Sequence, residues 1–256
     1  MAWFFTDGVD APLHIITGEN ARHISRSLRM KCGEELTICD SRGVRHDCVI
    51  ESIDSDSVTV RVVSSKRCEN EPDRKVTLYQ ALTKGEKMEW IIQKAVELGV
   101  TEIVPVMTAR CVSRPDDKSM KKKLERWNKI ALQAAMQSRR GIVPKVSALI
   151  TFGEAAKQSG KTAVVCYELG GCPLGEAQQL SGGDISLFIG SEGGFEQSEV
   201  NLLLANGGTA VTLGSRILRA ETAPLAALSV IMYLTGNMSG GRRRTAPTGG
   251  DWRGEE

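Results

Sequence analysis

The sequence predicts an α/β protein in two parts, a small β-rich module at the N-terminus and a larger domain built on a parallel sheet. Short β-branched segments separated by turn clusters fill the chain up to about residue 72, a spacing typical of a small barrel. From residue 73 onward, strand and helix patterns alternate, which indicates a parallel sheet covered by helices. Two of these strands stop at glycine-containing loops, and such strand ends predict one shared ligand crevice.

The predicted N-terminal module contains three clear strand candidates and one helix. The strand candidates are residues 36–40, 46–53 and 57–63. His23 to Met30 is the one segment of the module with a helical pattern, and Arg22, Arg26 and Arg29 would share a face because residues at i, i+4 and i+7 align. A basic face of this kind is typical of a helix surface that is exposed to solvent.

A polar segment from Ser64 to Arg74 is the predicted linker to the larger domain. Residues 76–82 then form a strand candidate, Lys84 to Leu98 a helix, and residues 102–107 a second strand. The helix is predicted because apolar residues recur at helical spacing and Gly99 follows as a stop signal. Strand, helix and strand in this order predict a parallel pair.

The helix from Lys118 to Ser138 combines an apolar stripe with a basic block. Trp127 lies in the stripe, so we expect it in the core rather than stacked on a nucleobase. Between Lys118 and Lys145, nine basic residues stand against one acid, Glu125. That block is typical of a solvated helix face and also of a surface that binds a phosphate backbone. The net charge of +2 over 256 residues does not distinguish between these two interpretations of the basic block.

The remaining elements bring the two glycine loops into one unit. The predicted strands are residues 163–167, 187–189 and 209–213, and the predicted helices are residues 197–205 and a last helix from about Thr222. IGSEGGFEQSE (189–199) follows one strand, and LGSRILRAETA (213–223) begins at the end of the other. Neither loop matches the dinucleotide-binding or the P-loop fingerprint. Pro224 fits the first turn of the last helix.

These two loops together resemble the paired motifs of the SPOUT methyltransferase superfamily and, within it, the ribosomal RNA small subunit methyltransferase E family. KGEKMEWIIQKAVELGV (84–100), AAMQSRRGIVP (134–144) and LRMKCGEELTICDSRG (28–43) are similar to further signatures of that family. The resemblance covers roughly residues 3–236. Ser191 departs from the pattern, because the family usually has proline at this position. The absence of that proline predicts a less preorganised loop.

The resemblance implies a fold and a reaction. The fold would be an N-terminal PUA-like RNA-binding barrel (1–72) and a SPOUT domain with a C-terminal trefoil knot (73–237). The tail (238–256) lies outside the resemblance, and its Gly/Arg-rich composition predicts disorder. The reaction would be S-adenosylmethionine-dependent methylation of N3 of a uridine in 16S rRNA, by a homodimer acting on the assembled 30S subunit. Two alternatives stay open: a SPOUT enzyme for tRNA or large-subunit rRNA, and a noncatalytic RNA-binding ribosome-assembly factor.

The resemblance also suggests roles for individual residues. The expected cofactor-binding residues are Ile189, Gly190, Ser191, Gly193, Gly194, Leu213, Gly214, Ile217, Leu218, Arg219 and Thr222. The expected RNA-binding residues are Arg22, His23, Arg26, Arg29, Lys84, Arg110 and Arg139. Arg219 would stabilise an anionic uracil, and Glu221 or Glu192 would accept the N3 proton. A salt bridge between Arg219 and Glu221 that only shapes the loop is the alternative.

Composition limits the remaining classes of protein. Seven cysteines without a C-x-x-C pair and three scattered histidines predict a reduced cytoplasmic protein without a metal site. No secretory signal is expected, because Asp7 and Asp10 interrupt the N-terminal apolar run. The uncharged stretch 222–241 has too short an apolar part to span a membrane and predicts a buried helix.

Overall fold

The N-terminal part forms a five-stranded sheet in the computed structural model, which describes residues 2–9, 12–40 and 42–238. Its strands are Ala2–Thr6 (β1), Leu13–Thr17 (β2), Glu35–Asp40 (β3), Val44–Ile53 (β4) and Ser57–Arg67 (β5). The strand order is β1-β3-β4-β5-β2, with β1 parallel to β3 and the other pairs antiparallel. The three predicted strands are confirmed, whereas β1 and β2 lie outside them. Because β5 continues to Arg67, the prediction that the linker begins at Ser64 is wrong.

The helical segment of this module differs from the predicted single helix. Gly18–Arg22 is an α-helix (α1), and His23–Ser27 continues it as a π-helix. Arg29 follows in a left-handed conformation, with φ 53°. The predicted common face of Arg22, Arg26 and Arg29 is therefore wrong, since the i→i+5 ladder changes the angle between successive side chains and Arg29 lies beyond the helix.

The larger part contains a parallel sheet. Its strands are Val76–Ala81 (β6), Glu102–Met107 (β7), Lys145–Val146 (β8), Ile150–Thr151 (β9), Ala163–Cys166 (β10), Cys172–Pro173 (β11), Ile185–Ile189 (β12) and Thr209–Thr212 (β13). The order is β11-β13-β10-β12-β6-β7-β8, and β9 also pairs with β7. All of these pairs are parallel, as predicted.

Five helices cover the two faces of this sheet. They are Lys87–Glu97 (α2), Asp117–Gln137 (α3), Phe152–Ser159 (α4), Gln197–Ala205 (α5) and Ala223–Leu234 (α6). One core joins α2, α3 and α6 to one face, and it includes Trp127, which is 3% exposed and thus a core residue as expected. A second core joins α4 and α5 to the other face around Phe188. Helix α4, which begins with a capping box at Thr151, was not predicted.

The strand order places the last strand, β13, between two strands that precede it in the chain. β13 pairs with β10 on one side and with β11 on the other. β10 and β11 precede β12 in the chain, whereas β13 follows it. The last strand is therefore inserted between two earlier ones before the chain forms α6, and the trefoil knot implied by the resemblance stays a prediction.

Helix α6 is buried on one face only. Ala227, Leu228 and Ile231 are fully buried, whereas Tyr233 is 65% and Leu234 47% exposed. The predicted helix thus contributes to the core, while its outer face is exposed. Within the described ranges, no helix is long and apolar enough to cross a membrane. The predicted disordered tail lies, apart from Met238, outside the described residues.

Arg140 is the exception within the basic block, because it is a buried residue at the junction of the two parts. Its side chain is 4% exposed and donates two hydrogen bonds to the carboxylate of Glu71, with N–O distances of 2.9 and 2.6 Å. It also donates to the carbonyls of Val96 and Val100. Arg140 is thus neither part of a solvated face nor available to a phosphate backbone.

Candidate functional site

A pocket of about 570 Å³ lies at the carboxyl ends of β10, β12 and β13. Parallel strands end on the same edge of a sheet, so the loops that follow β12 and β13 meet there, as the sequence predicts. The lining residues are Lys87, Cys166, Tyr167, Glu168, residues 189–195, residues 212–220 and Ala223. The volume falls within the range of small-molecule sites.

Ten of the eleven expected cofactor-binding residues line this pocket. They are Ile189, Gly190, Ser191, Gly193, Gly194, Leu213, Gly214, Ile217, Leu218 and Arg219. Thr222 is the exception. It is exposed and absent from the pocket wall, and its backbone amide donates to the carbonyl of Arg219. Its position is the N-cap of α6, so the expectation that Thr222 contacts the cofactor finds no support in the geometry.

The glycines of the loop after β12, residues 190–195, allow close packing. A Cβ atom on Gly190 would lie 3.0 Å from the Cα of Gly194, and one on Gly193 would lie 3.1 Å from the Cβ of Arg110. Gly194 has φ 69°, and a Cβ there would collide with the carboxylate of Glu168. The loop is therefore a tight turn whose pocket side is bare backbone.

Ser191 and Arg110 brace this loop from the outside. The Ser191 hydroxyl donates to the carbonyl of Arg110 over 3.3 Å. The guanidinium of Arg110 donates to the carbonyl of Gly193 over 3.0 Å and to Glu196 over 2.8 Å. That last bond lowers the pKa of Glu196. Arg110 lies just beyond β7, as predicted, but its donors are committed to the loop, which argues against the expected RNA contact.

The two candidate bases, Glu192 and Glu221, share one cation. The ammonium of Lys87 lies 3.1 Å from Glu192 and 3.3 Å from Glu221. Burial alone would raise the pKa of Glu192, but hydrogen bonds from its own amide, the Lys84 amide and Lys87 lower it on balance. The hydrogen bond to Glu192 is the main reason why the pKa of Lys87 is raised, and the bond to Glu221 adds to this effect. The carboxylate of Glu192 is therefore favoured in its ionised form.

The second loop, residues 213–219, carries two arginines that have no side-chain partner among the described residues. Neither Arg216 nor Arg219 forms an ion pair or a side-chain hydrogen bond with the residues that the structure describes. The alternative of a salt bridge between Arg219 and Glu221 is wrong, because Glu221 pairs with Lys87 instead. The amides of residues 215–218 also make no hydrogen bond to described residues. Unpaired cations and free backbone donors suit a polar ligand.

The other expected RNA-binding residues are distributed over several surfaces. Arg22 lies 3.8 Å from Asp56 in an exposed ion pair, and the His23 ring packs edge-on against Phe4. Arg26 and Arg29 are exposed. Lys84 is exposed in the loop before α2, and Arg139 is exposed in a left-handed turn, with φ 57°, after α3. The structure thus leaves these residues exposed at the surface.

Three residues at the pocket were not predicted from the sequence as functional candidates. Lys87 lies inside a strong helical pattern, which conceals its contact with both loops. Tyr167 and Glu168 follow β10, the third strand that ends at the pocket. The available signal was a strand end in a parallel sheet, but the nearest glycines, Gly170 and Gly171, lie four and five positions after this strand. Cys166, where burial raises the thiol pKa to about 12, lies on the same wall as an unreactive thiol.

No group of three His, Cys, Asp or Glu side chains in the described part of the chain could hold a metal ion. The described cysteines are also free rather than joined in disulfides. The arrangement at the pocket is instead a bare-backbone cradle with apolar walls, two free arginines and a lysine that binds two carboxylates.

Comparison with known proteins relates the chain to RNA methyltransferases. A family model described as an RNA methyltransferase domain matches residues 69–232, and an RNA methyltransferase PUA domain matches residues 16–63. Ribosomal RNA small subunit methyltransferase E of Bacillus subtilis is 39% identical over 88% of this chain and 92% of its own length. The protein of the same name from Synechocystis is 34% identical over 86% and 72%.

A solved structure shares the whole architecture. It is a ribosomal RNA small subunit methyltransferase E from Neisseria gonorrhoeae bound to S-adenosyl methionine. The TM-score is 0.85 at 32% identity, and the match covers 91% of this chain and 98% of that one. The PUA-like module and the SPOUT-type sheet are thus the fold that the sequence predicts.

Proposed function

This chain belongs to the ribosomal RNA small subunit methyltransferase E family of RNA methyltransferases, and from that premise we propose its substrate and mechanism. The protein uses S-adenosylmethionine to methylate N3 of a uridine in 16S rRNA, within the assembled 30S subunit. The observation that supports this most is the pocket, where a bare-backbone cradle lies beside the unpaired guanidinium of Arg219.

The pocket fits S-adenosylmethionine in size and chemistry. Ile189, Leu213 and Leu218 offer apolar surface for an adenine, and the free amides of residues 215–218 offer donors. The unpaired arginines can bind a carboxylate. When bound, the cofactor supplies a methyl group already activated on a sulfonium, so the protein's task is alignment and charge placement.

Arg219 is proposed to stabilise the uracil anion. N3 of uridine becomes a good nucleophile only after its proton leaves, and the negative charge then spreads over the flanking carbonyl oxygens. A guanidinium with no other partner can donate hydrogen bonds to that charge. Arg219 lies on the pocket wall with its donors free, which supports this role.

Glu192 and Glu221 are the proposed acceptors of the N3 proton, and Lys87 is their proposed positioning residue. Its ammonium contacts both carboxylates and thereby connects the loop after β12 to the turn before α6. A carboxylate held by a cation is a weak base. Stabilisation of the anion by Arg219 is therefore the larger contribution, and a carboxylate released from Lys87 takes the proton.

A homodimer is proposed through the outer face of α6. Val230, Tyr233 and Leu234 are 40%, 65% and 47% exposed on a helix that carries no charge from Ala223 to Leu234. Apolar side chains clustered on one helix face are typical of a protein–protein contact. A second copy that packs α6 against α6 would cover them and bring the two pockets close to the interface. A monomer in light scattering would contradict this proposal.

The direct test is methyl transfer from labelled S-adenosylmethionine to unmodified 30S subunits, with naked 16S rRNA and bulk tRNA in parallel. Mass spectrometry of the digested nucleosides should find N3-methyluridine from the 30S sample. Label in tRNA or in large-subunit rRNA would favour another RNA substrate. Cofactor binding without label in any RNA would favour a noncatalytic assembly factor.

Arg219→Ala separates the proposed catalytic role from cofactor binding. Loss of one donor to a developing oxyanion typically lowers turnover about 100- to 1000-fold, and we expect cofactor affinity to change little. Arg216→Ala is the matched comparison, since Arg216 lies on the same loop and also has no partner among the described residues; as the proposed ligand of the cofactor carboxylate, it should affect cofactor affinity more than turnover. Equal turnover of Arg219→Ala and wild type would contradict the role.

A further inference from the structure

Glu168 is a carboxylate on the pocket wall to which the proposed function gives no role. It follows β10, between the loops that follow β12 and β13. The residue is exposed and directly follows Tyr167, which is buried and fixed by a hydrogen bond from its hydroxyl to Gln197 over 2.9 Å. Its backbone is thus held in place while its side chain faces the cavity.

The other carboxylates around the pocket are already engaged. Glu192 and Glu221 bind Lys87, and Glu196 binds Arg110. Glu168 forms no ion pair and no hydrogen bond with the described residues. The charge of Glu168 interacts with Arg110 only at longer range, because the Arg110 guanidinium donates its hydrogen bonds to Glu196 and Gly193. Glu168 is therefore the pocket carboxylate whose acceptor atoms remain free.

Gly194 supplies a second, independent observation. A Cβ at this position would collide with the Glu168 carboxylate. The loop therefore leaves the space beside Gly194 to the Glu168 carboxylate, which lies against the loop backbone while the residue remains exposed to the cavity. An acceptor packed in this way at the wall of a cavity is preorganised for a ligand, because less side-chain entropy is lost on binding.

The chemistry of a free carboxylate selects one part of the cofactor. Its two oxygens only accept hydrogen bonds, and a ribose presents two neighbouring hydroxyl donors that one carboxylate can bind together. Acidic residues bind ribose hydroxyls in the same manner at nucleotide sites of other α/β proteins. The apolar walls for an adenine lie on the adjacent loops, so a ribose attached to it lies within reach of β10.

We propose that Glu168 is a cofactor-binding residue that accepts hydrogen bonds from the ribose hydroxyls of S-adenosylmethionine. This inference rests on the proposed function, since it assumes that an adenosyl ligand occupies the pocket. It assigns the pocket wall after β10 to ribose recognition. The arginines of the loop after β13 then remain available for the carboxylate of S-adenosylmethionine and for the uracil.

Isothermal titration of three ligands tests the inference without any methyl transfer. The ligands are S-adenosylhomocysteine, 5′-methylthioadenosine, which keeps the ribose but lacks the amino-acid part, and 2′-deoxy-5′-methylthioadenosine. Each is titrated into wild type, Glu168→Gln and a control, Glu176→Gln, whose exposed carboxylate lies outside the pocket lining. Thermal midpoints without ligand establish that each variant is folded.

We expect Glu168→Gln to weaken binding of the first two ligands to a similar extent, about tenfold or more, as for lost hydrogen bonds to a charged group. Its preference for the ribose over the 2′-deoxyribose ligand should also shrink, while Glu176→Gln matches wild type. Weaker binding of S-adenosylhomocysteine alone would place the carboxylate at the ammonium group and overturn the inference. Unchanged affinities would overturn it too, whereas a wild type that binds no adenosyl ligand would overturn the proposed function itself.

Discussion

Replacing Arg140 by methionine removes the cation of the buried ion pair at the junction of the two sheets. The Arg140 guanidinium is 4% exposed and donates four hydrogen bonds, two to Glu71 and two to main-chain carbonyls. Glu71 also accepts from the amides of Gly141 and Ile142. Methionine fills much of the volume of arginine but donates none of these bonds.

The expected loss of stability follows from this geometry. Breaking a buried ion pair by removal of one partner costs about 3–5 kcal/mol, because the remaining charge keeps its desolvation penalty. Glu71 is 20% exposed and keeps two amide donors, which argues for the lower half of that range. The matched control is Arg126→Met, whose side chain is 63% exposed in a 2.7 Å pair with Glu89. An exposed pair contributes about 1 kcal/mol or less.

Urea denaturation, followed by tryptophan fluorescence and by circular dichroism, measures both free energies of unfolding. Coincident transitions in the two signals would support a two-state analysis. A loss for Arg140→Met that lies within 1 kcal/mol of the loss for Arg126→Met, on the precision scale of such comparisons, would refute the reasoning. It would mean that water or a rearranged side chain replaces the arginine at little cost.

Three further outcomes are expected. Trp127→Ala should reduce the free energy of unfolding by about 3–5 kcal/mol in the same assay, because it empties a core site. Gly190→Ala should weaken S-adenosylhomocysteine binding in calorimetry, since the new methyl group would lie 3.0 Å from the Gly194 Cα and displace the loop; unchanged affinity would show that the loop tolerates the shift. The pKa of Glu192 lies below its ordinary value of 4.5, so its bond to Lys87 stabilises the fold above pH 4.5 and that contribution disappears as pH falls through the lower folded pKa. The thermal midpoint of Glu192→Gln should therefore lie below that of wild type at neutral pH and converge with it in acid; a constant difference would contradict this assignment.

The local sequence determined the elements and the two loops of the pocket. The helical spacing of Met88, Ile91 and Ala95 fixed α2, and glycine directly after β12 and β13 marked the loops, because both signals depend only on neighbouring residues. The boundaries were less accurate where a strand had a polar outer face, as in β5, or where a helix changed to a π-helix, as at His23. In both cases tertiary contacts outweighed local propensity.

Pairings between distant residues were decided by the tertiary structure alone. Lys87 binds Glu192 and Glu221 more than 100 positions away, and Arg140 turns inward to Glu71 although its neighbours in sequence form a basic surface block. Charge patterns along the chain do not specify which cation meets which carboxylate, since that depends on where the sheet brings the loops together. The sequence by itself thus determined an α/β chain with a glycine-lined crevice at two strand ends. Only the folded chain decided which charges there are paired and which, such as Arg219 and Glu168, remain free for a ligand, because burial and distance set the strength of those interactions.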